Sequence, residues 1–489
     1  MLFNSLDFLF FFIIVTTLYY GIPHKYRWIL LLLSSCYFYM SFVPAYILIL
    51  LFTIIIGYLA GLYIEKNPGG KKRLFFIAGM TANIGVLAFF KYFNFLNENI
   101  GLLLGGVGLN NPVPYMNIIL PIGLSFHTFQ EMSYLIEVYR GKQKAERHFG
   151  IFSVYVMFYP QLVSGPIERP QKLIHQFYEK HKFNSLDLTA GLKLMLWGLF
   201  KKMVIADRLA IYVDAVYNNA PYHNGITFVL ATVFFSFQIY CDFSGYSDIA
   251  VGAARAMGFR LTNNFRLPYL SKSIAEFWSR WHISLSNWLR DYIYLPAVSS
   301  LSKKITKKKL LGIDRPLWLY SGATFITFMV SGIWHGAAWT FVMLGLVHAF
   351  FLIFAIITKN FRLNLAKKTG LTRVPVLYDT MQILITFSLV TFAYIFFRAN
   401  SFSDLTTIIK SFGDLRGPLF YENYKDIAYP VFGILFLLLV ELKHRYFNTS
   451  FAVLSNNRWY VQSMTCVAMI IIILLVGVFD GSQFIYFQF

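Results

Sequence analysis

Long apolar runs separated by short loops make up most of this 489-residue chain. The runs lie near residues 6–22, 28–43, 45–64, 74–93, 117–139, 187–206, 226–254, 316–358, 375–398, 428–442 and 461–480. About 20 apolar residues in a helix span a bilayer core. Only 13% of the residues are charged, whereas soluble domains carry about a quarter. The sequence therefore predicts an all-α polytopic membrane protein with about 11 transmembrane helices, and it excludes an ordinary soluble enzyme.

The charged residues are mainly basic and stand in the short loops. Lysine and arginine outnumber acidic residues by 43 to 23, which gives a net charge of +20. Basic loops lie at 24–27, 66–73, 140–148, 302–315 and 359–373. Because cytoplasmic loops carry such an excess, we expect these loops inside, with the N-terminus, residues 400–427 and the C-terminus outside. The same rule explains the charge without a nucleic-acid partner. The first run lacks the features of a cleaved signal peptide and is interpreted as a retained span.

Several segments are not expected to cross the membrane. Residues 95–116 are rich in Gly, Asn and Pro and are predicted to form an external interfacial segment. Residues 149–165 are too short to span and are predicted to be re-entrant, which implies a surrounding cavity. Residues 263–296 place Ile274, Phe277, Trp281, Leu285, Trp288 and Leu289 on one face, as in an amphipathic helix or helix pair. In 400–427, apolar residues at helical spacing (Phe402, Leu405, Ile408, Ile409, Phe412) suggest either a docking face or an interfacial helix.

Common catalytic and metal-binding patterns are missing from the sequence. There is no Walker A motif, no HExxH motif and no HxxxxD acyltransferase motif. Cys36, Cys241 and Cys466 stand singly in or beside apolar runs, so neither a disulfide scaffold nor a zinc site is expected. No internal repeat typical of transporters is present.

Histidines in apolar surroundings are the first functional candidates, because polar residues are costly there. His335 lies between Gly332 and Gly336 in a broken apolar run, where it is either catalytic or a buried histidine bonded to the backbone. His348 in the same run is expected to be structural and serves as a comparison. His282 lies in the amphipathic segment, where a surface helix also carries histidines without function.

Other polar residues are candidates for lining a substrate tunnel. His127 and Gln130 share an apolar run with Glu131 and Ser133, and these residues either line a cavity or bond one another. Asp242 and Ser244 lie at the end of the 226–254 span, where helix capping is the alternative. Trp334 and Asn287 neighbour the two candidate histidines in sequence.

Five motifs carry a resemblance to a known family. They are LPIGLSFHTFQ at 120–130, FYPQLVSGPIERP at 158–170, QIYCDFSGYSDIAVG at 238–252, FWSRWHISLSNWLRDYIYLP at 277–296 and SGIWHGAAWTFVMLGLVHA at 331–349. In this order they resemble the membrane-bound O-acyltransferase family, in the bacterial branch of alginate O-acetylation and teichoic-acid D-alanyl transfer proteins. The resemblance covers most of residues 75–400.

The resemblance implies a fold and a site. The fold would be one integral-membrane domain over 1–489, with N-terminal helices at about 1–110, an acyltransferase core at about 111–400 and C-terminal helices at about 401–489. Its helices would form a ring around a central tunnel, joined by re-entrant and interfacial helices. His335 takes the place of the family's invariant histidine and His282 that of its second polar residue.

The resemblance also implies a reaction in a bacterial cytoplasmic membrane. An acyl group, first of all acetyl, would pass from a cytoplasmic thioester donor to a hydroxyl of an external polysaccharide or of a partner. The donor would be acetyl-CoA or a carrier-protein thioester, with no tightly bound cofactor and no metal. Candidate contacts to donor phosphates are the lysines at 303, 304 and 307–309, which the topology alone would also explain. The expected partner is an exported SGNH-type protein or a small membrane carrier. D-alanyl transfer to teichoic acid and a transporter without acyl chemistry are the alternatives.

Overall fold

The computed structural model of the protein describes residues 1–310, 312–447, 458–479 and 484–485. Within them the regular structure is helical except for one small antiparallel hairpin. Its two strands have two residues each, β1 (Lys309–Leu310) and β2 (Ile313–Asp314), and Lys309 pairs with Asp314. The expected all-α membrane fold is confirmed.

The helices follow one another with short connections. The first seven are α1 (Leu6–Gly21), α2 (His24–Met40), α3 (Ile47–Lys66), α4 (Gly69–Gly106), α5 (Leu124–Tyr139), α6 (Phe149–Met157) and α7 (Pro170–Leu173). The next six are α8 (Ser185–Leu199), α9 (Asp207–Tyr217), α10 (Gly225–Ala256), α11 (Ile274–Arg280), α12 (Ile283–Leu289) and α13 (Leu295–Lys304). The last seven are α14 (Arg315–His335), α15 (Trp339–Ile357), α16 (Lys359–Lys368), α17 (Pro375–Arg398), α18 (Phe402–Ser411), α19 (Lys425–Phe447) and α20 (Trp459–Val476). Two π-helical turns, Phe200–Ala206 and Arg290–Tyr294, join α8 to α9 and α12 to α13. Short 3₁₀ turns lie at Pro44–Tyr46, Ile174–Phe177, Ala220–Tyr222, Pro268–Leu270 and Leu371–Arg373.

Eight helices among the described residues are long and apolar enough to cross a membrane. They are Pro44–Lys66, Gly69–Gly106, Gly225–Ala256, Arg315–His335, Trp339–Ile357, Pro375–Arg398, Lys425–Tyr446 and Trp459–Val476. The shorter α1 is also apolar. The predicted total of about 11 crossings, their ring arrangement and the central tunnel stay predictions.

The described residues divide into two compact units. The first consists of Met1–Met195 with Tyr246–Thr262, and the second consists of Leu196–Gly245 with Asn263–Ile485. In the first unit α5 packs against both α3 and α4, and α6 packs against α2. In the second unit α14 and α15 form an antiparallel pair, and α15 also packs against α17. The predicted single domain and its subdivisions stay predictions.

Three local predictions agree with the structure. The segment from residue 149 forms only the nine-residue α6, about 14 Å long, which is less than half of a bilayer core. The run 316–358 breaks between α14 and α15, where Gly336 is extended. The six residues predicted to share the apolar face of 263–296 are all buried, and the segment forms the helix pair, α11 and α12, that was one of the two alternatives.

One local prediction is wrong, and another stays open. Residues 95–106 continue α4 and do not form a separate interfacial segment. The polar side chains there are tolerated because the Asn94 and Asn97 amides donate to carbonyls of the following loop, at Met116 and Val113. In 400–427 the predicted helical spacing is present as α18. Leu405 and Ile408 are buried, whereas Phe402 and Ile409 are 53% and 38% exposed, and the choice between a docking face and an interfacial helix stays a prediction.

Candidate active site

His335 is the last residue of α14, and the packing of two glycines places it. Gly332 lies against the backbone of Phe341 and Gly345 on α15, and Gly345 in turn lies against Phe328 on α14. Small residues at such a crossing let two membrane helices approach closely. The chain leaves the helix at Gly336, so the imidazole stands where α14 ends. His335 is 7% exposed, and its ring packs on Phe397 with 5.6 Å between centroids.

His282 lies at the break between α11 and α12 in a left-handed conformation, with φ 42° and ψ 56°. This region is uncommon for residues other than glycine and persists only where surrounding contacts impose it. Asn264 supplies those contacts. Its backbone oxygen accepts from the Ile283 N–H at 2.9 Å, and its Oδ1 accepts from the Ser284 N–H at 3.2 Å. Asn264 therefore holds the start of α12 and, with it, His282.

The two histidines belong to one site in the second unit. Both rings pack against Trp334, with centroid distances of 6.1 Å for His282 and 4.9 Å for His335. Burial lowers the pKa of His282 well below its usual 6.5, and the neighbouring His335 lowers it further. His282 is therefore a neutral imidazole at neutral pH, with one N–H donor and one nitrogen acceptor. Such a group orients or polarises a substrate without carrying a charge.

Asp242 and Ser244 bond to a pair of buried lysines. The Lys202 ammonium lies 2.7 Å from an Asp242 oxygen and 2.8 Å from Asp207, and Lys201 donates to the Ser244 hydroxyl at 2.8 Å. Asp242 also accepts from the Ile485 N–H at 2.7 Å. These contacts fix α10 to the π-helical turn Phe200–Ala206. They favour a supporting role over tunnel lining, which for both residues stays a prediction.

Phe243, between those two residues, connects α10 to the histidine site. Its ring meets His282 edge to face, with 4.6 Å between centroids. Of the other predicted residues, Trp334 is 4% exposed and contacts both histidines. Asn287 is half-buried on α12, five residues after His282. The structure thus brings Trp334 to the histidine pair and gives Phe243 a role that the sequence did not suggest.

His127 and Gln130 lie on α5 in the first unit. His127 is 1% exposed, and its Nδ1 is 4.0 Å from a carboxylate oxygen of Glu131. The Gln130 amide donates to the Tyr155 carbonyl at 2.6 Å. Within this set the Ser133 hydroxyl donates to the Gln130 carbonyl at 2.7 Å, whereas His127 and Glu131 are too far apart for a hydrogen bond. Tunnel lining stays a prediction.

His348 behaves as the comparison histidine was expected to behave. It is 3% exposed, and its Nδ1 accepts from the Trp278 indole N–H at 3.4 Å. The ring also lies edge to face on Trp278, with 5.0 Å between centroids. These contacts support the structural role expected for His348, which stays a prediction.

Sequence reasoning missed Asn264 and Lys202 as residues that build the site. Lys202 had an available signal, since two adjacent lysines inside an apolar run require buried acidic or hydroxyl partners. No sequence signal indicated Asn264, because its role depends on bonds to residues about 20 positions later. Among the described residues, no three His, Cys, Asp or Glu side chains come together as a metal site would need, and the three cysteines are unpaired.

Comparisons with known proteins agree with this geometry. The sequence profile of the membrane-bound O-acyltransferase family matches residues 146–397, which include both histidines. The peptidoglycan O-acetyltransferase of Helicobacter pylori is 29% identical over 100% of this chain and 98% of its own length. A probable alginate O-acetylase of Pseudomonas syringae is 34% identical over 82% of this chain and 73% of its own length. The teichoic acid D-alanyltransferase of Bacillus subtilis is 31% identical over 49% of this chain and 61% of its own length. The resemblance seen in the motifs is thereby confirmed, and the chain belongs to the membrane-bound O-acyltransferase family.

Proposed function

We propose that this protein transfers an acetyl group from a cytoplasmic coenzyme A thioester to a hydroxyl of an external polysaccharide or cell-wall polymer, or to a partner that passes the group on. The observation that carries the proposal is the histidine pair, with His282 and His335 packed on the same Trp334 in a multi-pass acyltransferase. The setting would be a bacterial cytoplasmic membrane with both termini outside.

The extent of similarity favours acetyl over D-alanyl transfer. The relative named for peptidoglycan acetylation matches this chain along its whole length, and the one named for alginate acetylation matches 82% of it. The D-alanyltransferase matches only 49%. D-alanyl transfer from a carrier-protein thioester is the second candidate.

The proposed mechanism assigns the base to His335. The hydroxyl oxygen of the acceptor attacks the thioester carbonyl while a neutral His335 nitrogen takes the hydroxyl proton. The C–O bond forms, the tetrahedral intermediate collapses, and the C–S bond breaks. The imidazolium then returns the proton to the departing thiolate, so the products are the ester and the free thiol. A thioester is already activated, so this sequence uses no tightly bound cofactor.

His282 would assist without acting as a cation. Its one N–H can donate to the thioester oxygen as negative charge develops there, which is the role of an oxyanion donor. The left-handed turn that Asn264 imposes fixes the direction in which His282 points. Trp334 would fix the separation of the two rings.

The experiment is acyl transfer by the purified protein in lipid vesicles. Acetyl-CoA labelled in the acetyl group is supplied with a soluble polysaccharide acceptor, with and without a candidate exported SGNH-type protein. The proposal expects wild-type protein to transfer label and release thiol, with transfer to polymer increasing when the partner is present.

Two outcomes would contradict the proposal. Transfer only from a D-alanyl carrier-protein thioester would favour the second candidate. Passage of label across the vesicle without cleavage of any thioester would favour a transporter. The His335→Gln protein, prepared in the same way, is the control for thioester cleavage by contaminants of the preparation.

A further inference from the structure

A cavity of about 860 Å³ opens in the first unit, away from the histidine pair in sequence. Its walls come from residues 175–187 and from the turn after α10, at Gly258 and Arg260. Its volume lies within the 300–1,000 Å³ typical of small-molecule sites. The cationic and aromatic side chains that line it are Lys180, Lys182, Arg260, His175, His181 and Phe183.

The floor of the cavity is held by specific bonds. The Gln176 side chain accepts from the Arg260 N–H at 2.8 Å and donates to the Arg260 carbonyl at 3.0 Å, so it fixes that backbone at both ends. Gly258 has φ 93°, and a side chain there would meet the His181 ring at 2.9 Å. Arg27 donates to the His181 carbonyl at 2.6 Å. These bonds hold the backbone on both sides of the cavity floor in place.

The cavity lies on the side that loop charge predicts to be cytoplasmic. His24 of the first basic loop bonds to the Tyr178 carbonyl at 3.2 Å. The Tyr178 hydroxyl donates to Glu146 at 2.6 Å, and the neighbouring Arg147 pairs with Glu65 at the end of α3. These contacts connect the cavity to the loops 24–27 and 140–148 and to the end of α3 beside the loop 66–73, and all three loops are expected inside. We therefore expect the cavity to face the compartment that supplies thioesters.

The charges lining the cavity favour an anion. In the described part of the chain, Lys180, Lys182 and Arg260 make no ion pair, and all three line the cavity and are exposed. Of the two carboxylates in the wall, Asp187 pairs with Arg255 at 3.2 Å. Glu179 lies 3.7 Å from the His175 ring, so the three cations outnumber the one carboxylate that has no cationic partner. Phosphate groups are the anions that clustered lysine and arginine side chains bind best.

Phe183 adds an aromatic surface beside these cations. It is 60% exposed, and one edge meets Tyr20 at 5.3 Å between centroids, which holds the ring in place. A purine can stack on such a ring, and a base next to several phosphates is the chemistry of a nucleotide. The concave shape favours this small ligand over the flat acidic surface of a carrier protein.

We infer that this cavity binds the phosphorylated nucleotide end of a coenzyme A thioester, the donor in the proposed function on which this inference rests. The site differs from the exposed lysines at 303, 304 and 307–309, which were the donor contacts suggested by charge alone. Those lysines surround the exposed hairpin, and one of them, Lys309, pairs with Asp314 at 3.6 Å.

The test compares two triple variants of the full-length protein in lipid nanodiscs. Lys180→Gln/Lys182→Gln/Arg260→Gln removes the cavity cations, and Lys303→Gln/Lys304→Gln/Lys307→Gln removes three exposed cations elsewhere. The probes are acetyl-CoA, acetyl-3′-dephospho-CoA and acetyl-pantetheine. Binding is measured by calorimetry and transfer by release of free thiol.

The expected result is a rise in the Kd and KM for acetyl-CoA of about tenfold or more in the cavity variant, equivalent to about 1.4 kcal/mol. kcat and the KM for acetyl-pantetheine should not change, because pantetheine carries no phosphate. The triple variant at residues 303, 304 and 307 should behave as wild type. Acetyl-3′-dephospho-CoA should bind the wild type more weakly than acetyl-CoA.

Distinct results would overturn the site and the proposed function. If wild-type protein uses acetyl-CoA and the cavity variant keeps the wild-type Kd and KM, the site is wrong while the function stands. If the wild type binds no acetyl-CoA and uses only a carrier-protein thioester, the nucleotide site is wrong. If the wild type transfers acetyl from none of the thioesters, the proposed function itself fails.

Discussion

Replacing Lys202 with methionine should destabilise the protein more than replacing either acid beside it. Lys202 is 7% exposed in its side chain, and Asp207 and Asp242 are each 4% exposed. Without the ammonium, two buried carboxylates face each other, and losing one partner of a buried ion pair costs about 3–5 kcal/mol. Asp242→Asn leaves the Lys202–Asp207 pair intact, so its expected cost is about 1.5–3 kcal/mol, that of one charged hydrogen bond.

The double variant Lys202→Met/Asp242→Asn makes the prediction quantitative. It removes one cation and one anion together, so its cost should be at least about 1 kcal/mol less than the sum of the single variants. The assay is unfolding of purified protein in detergent, followed by the change in tryptophan fluorescence. Turnover per folded molecule should stay near wild type in Asp242→Asn. Strict additivity in the double variant, or loss of turnover in Asp242→Asn at unchanged stability, would refute the supporting role and favour Asp242 as a substrate contact.

Three further predictions concern the site and the topology. The pKa of His282 is depressed by burial and by His335, so the neutral ring's contribution to stability is complete above pH 6.5 and is lost below it, by up to about 1.4 kcal/mol per pH unit. The melting temperature should therefore fall more between pH 7.5 and pH 5.5 for wild type than for His282→Gln. Asn264→Ala should cost about 1–3 kcal/mol by leaving the Ser284 N–H unsatisfied and should lower kcat more than it raises KM, which kinetics on monodisperse protein will check. In intact cells, an impermeant thiol reagent should label a cysteine at residue 415 and spare one at residue 307, and the reverse pattern would contradict the topology.

The apolar pattern was sufficient to predict much of the fold. The break at 332–336, the short segment from residue 149 and the buried face of 263–296 all depend on local sequence, because apolar length and helical spacing are local properties. The end of α4 was misplaced because it depends on distant partners. The Gly, Asn and Pro content of residues 95–116 argued against a helix, whereas the bonds of the Asn94 and Asn97 amides to the loop near residues 113–116 are tertiary contacts.

The sequence identified the two histidines that the structure brings together on Trp334, but it did not identify the residues that hold them. A histidine in apolar surroundings can be recognised in a single sequence, and the family motifs distinguish His282 and His335 among the ten histidines of the chain. The left-handed turn at His282 depends on Asn264, and the bonding of Asp242 depends on Lys202, 40 residues earlier. Such pairings follow from tertiary packing, which a single sequence does not display.

The catalytic role of His335 can be tested against His348. Both histidines are buried, at 7% and 3% exposed, but His348 lies on α15 and bonds to Trp278. Glutamine is the replacement at both sites, since its oxygen can still accept from the Trp278 indole N–H at residue 348 but cannot take a hydroxyl proton at residue 335. General-base catalysis contributes about 10²–10⁴-fold. The account predicts that His335→Gln protein, monodisperse and correctly inserted, loses acyl transfer by at least about a hundredfold while His348→Gln retains it. A monodisperse His335→Gln protein that keeps more than about a tenth of wild-type transfer would contradict the assignment of His335 as the base.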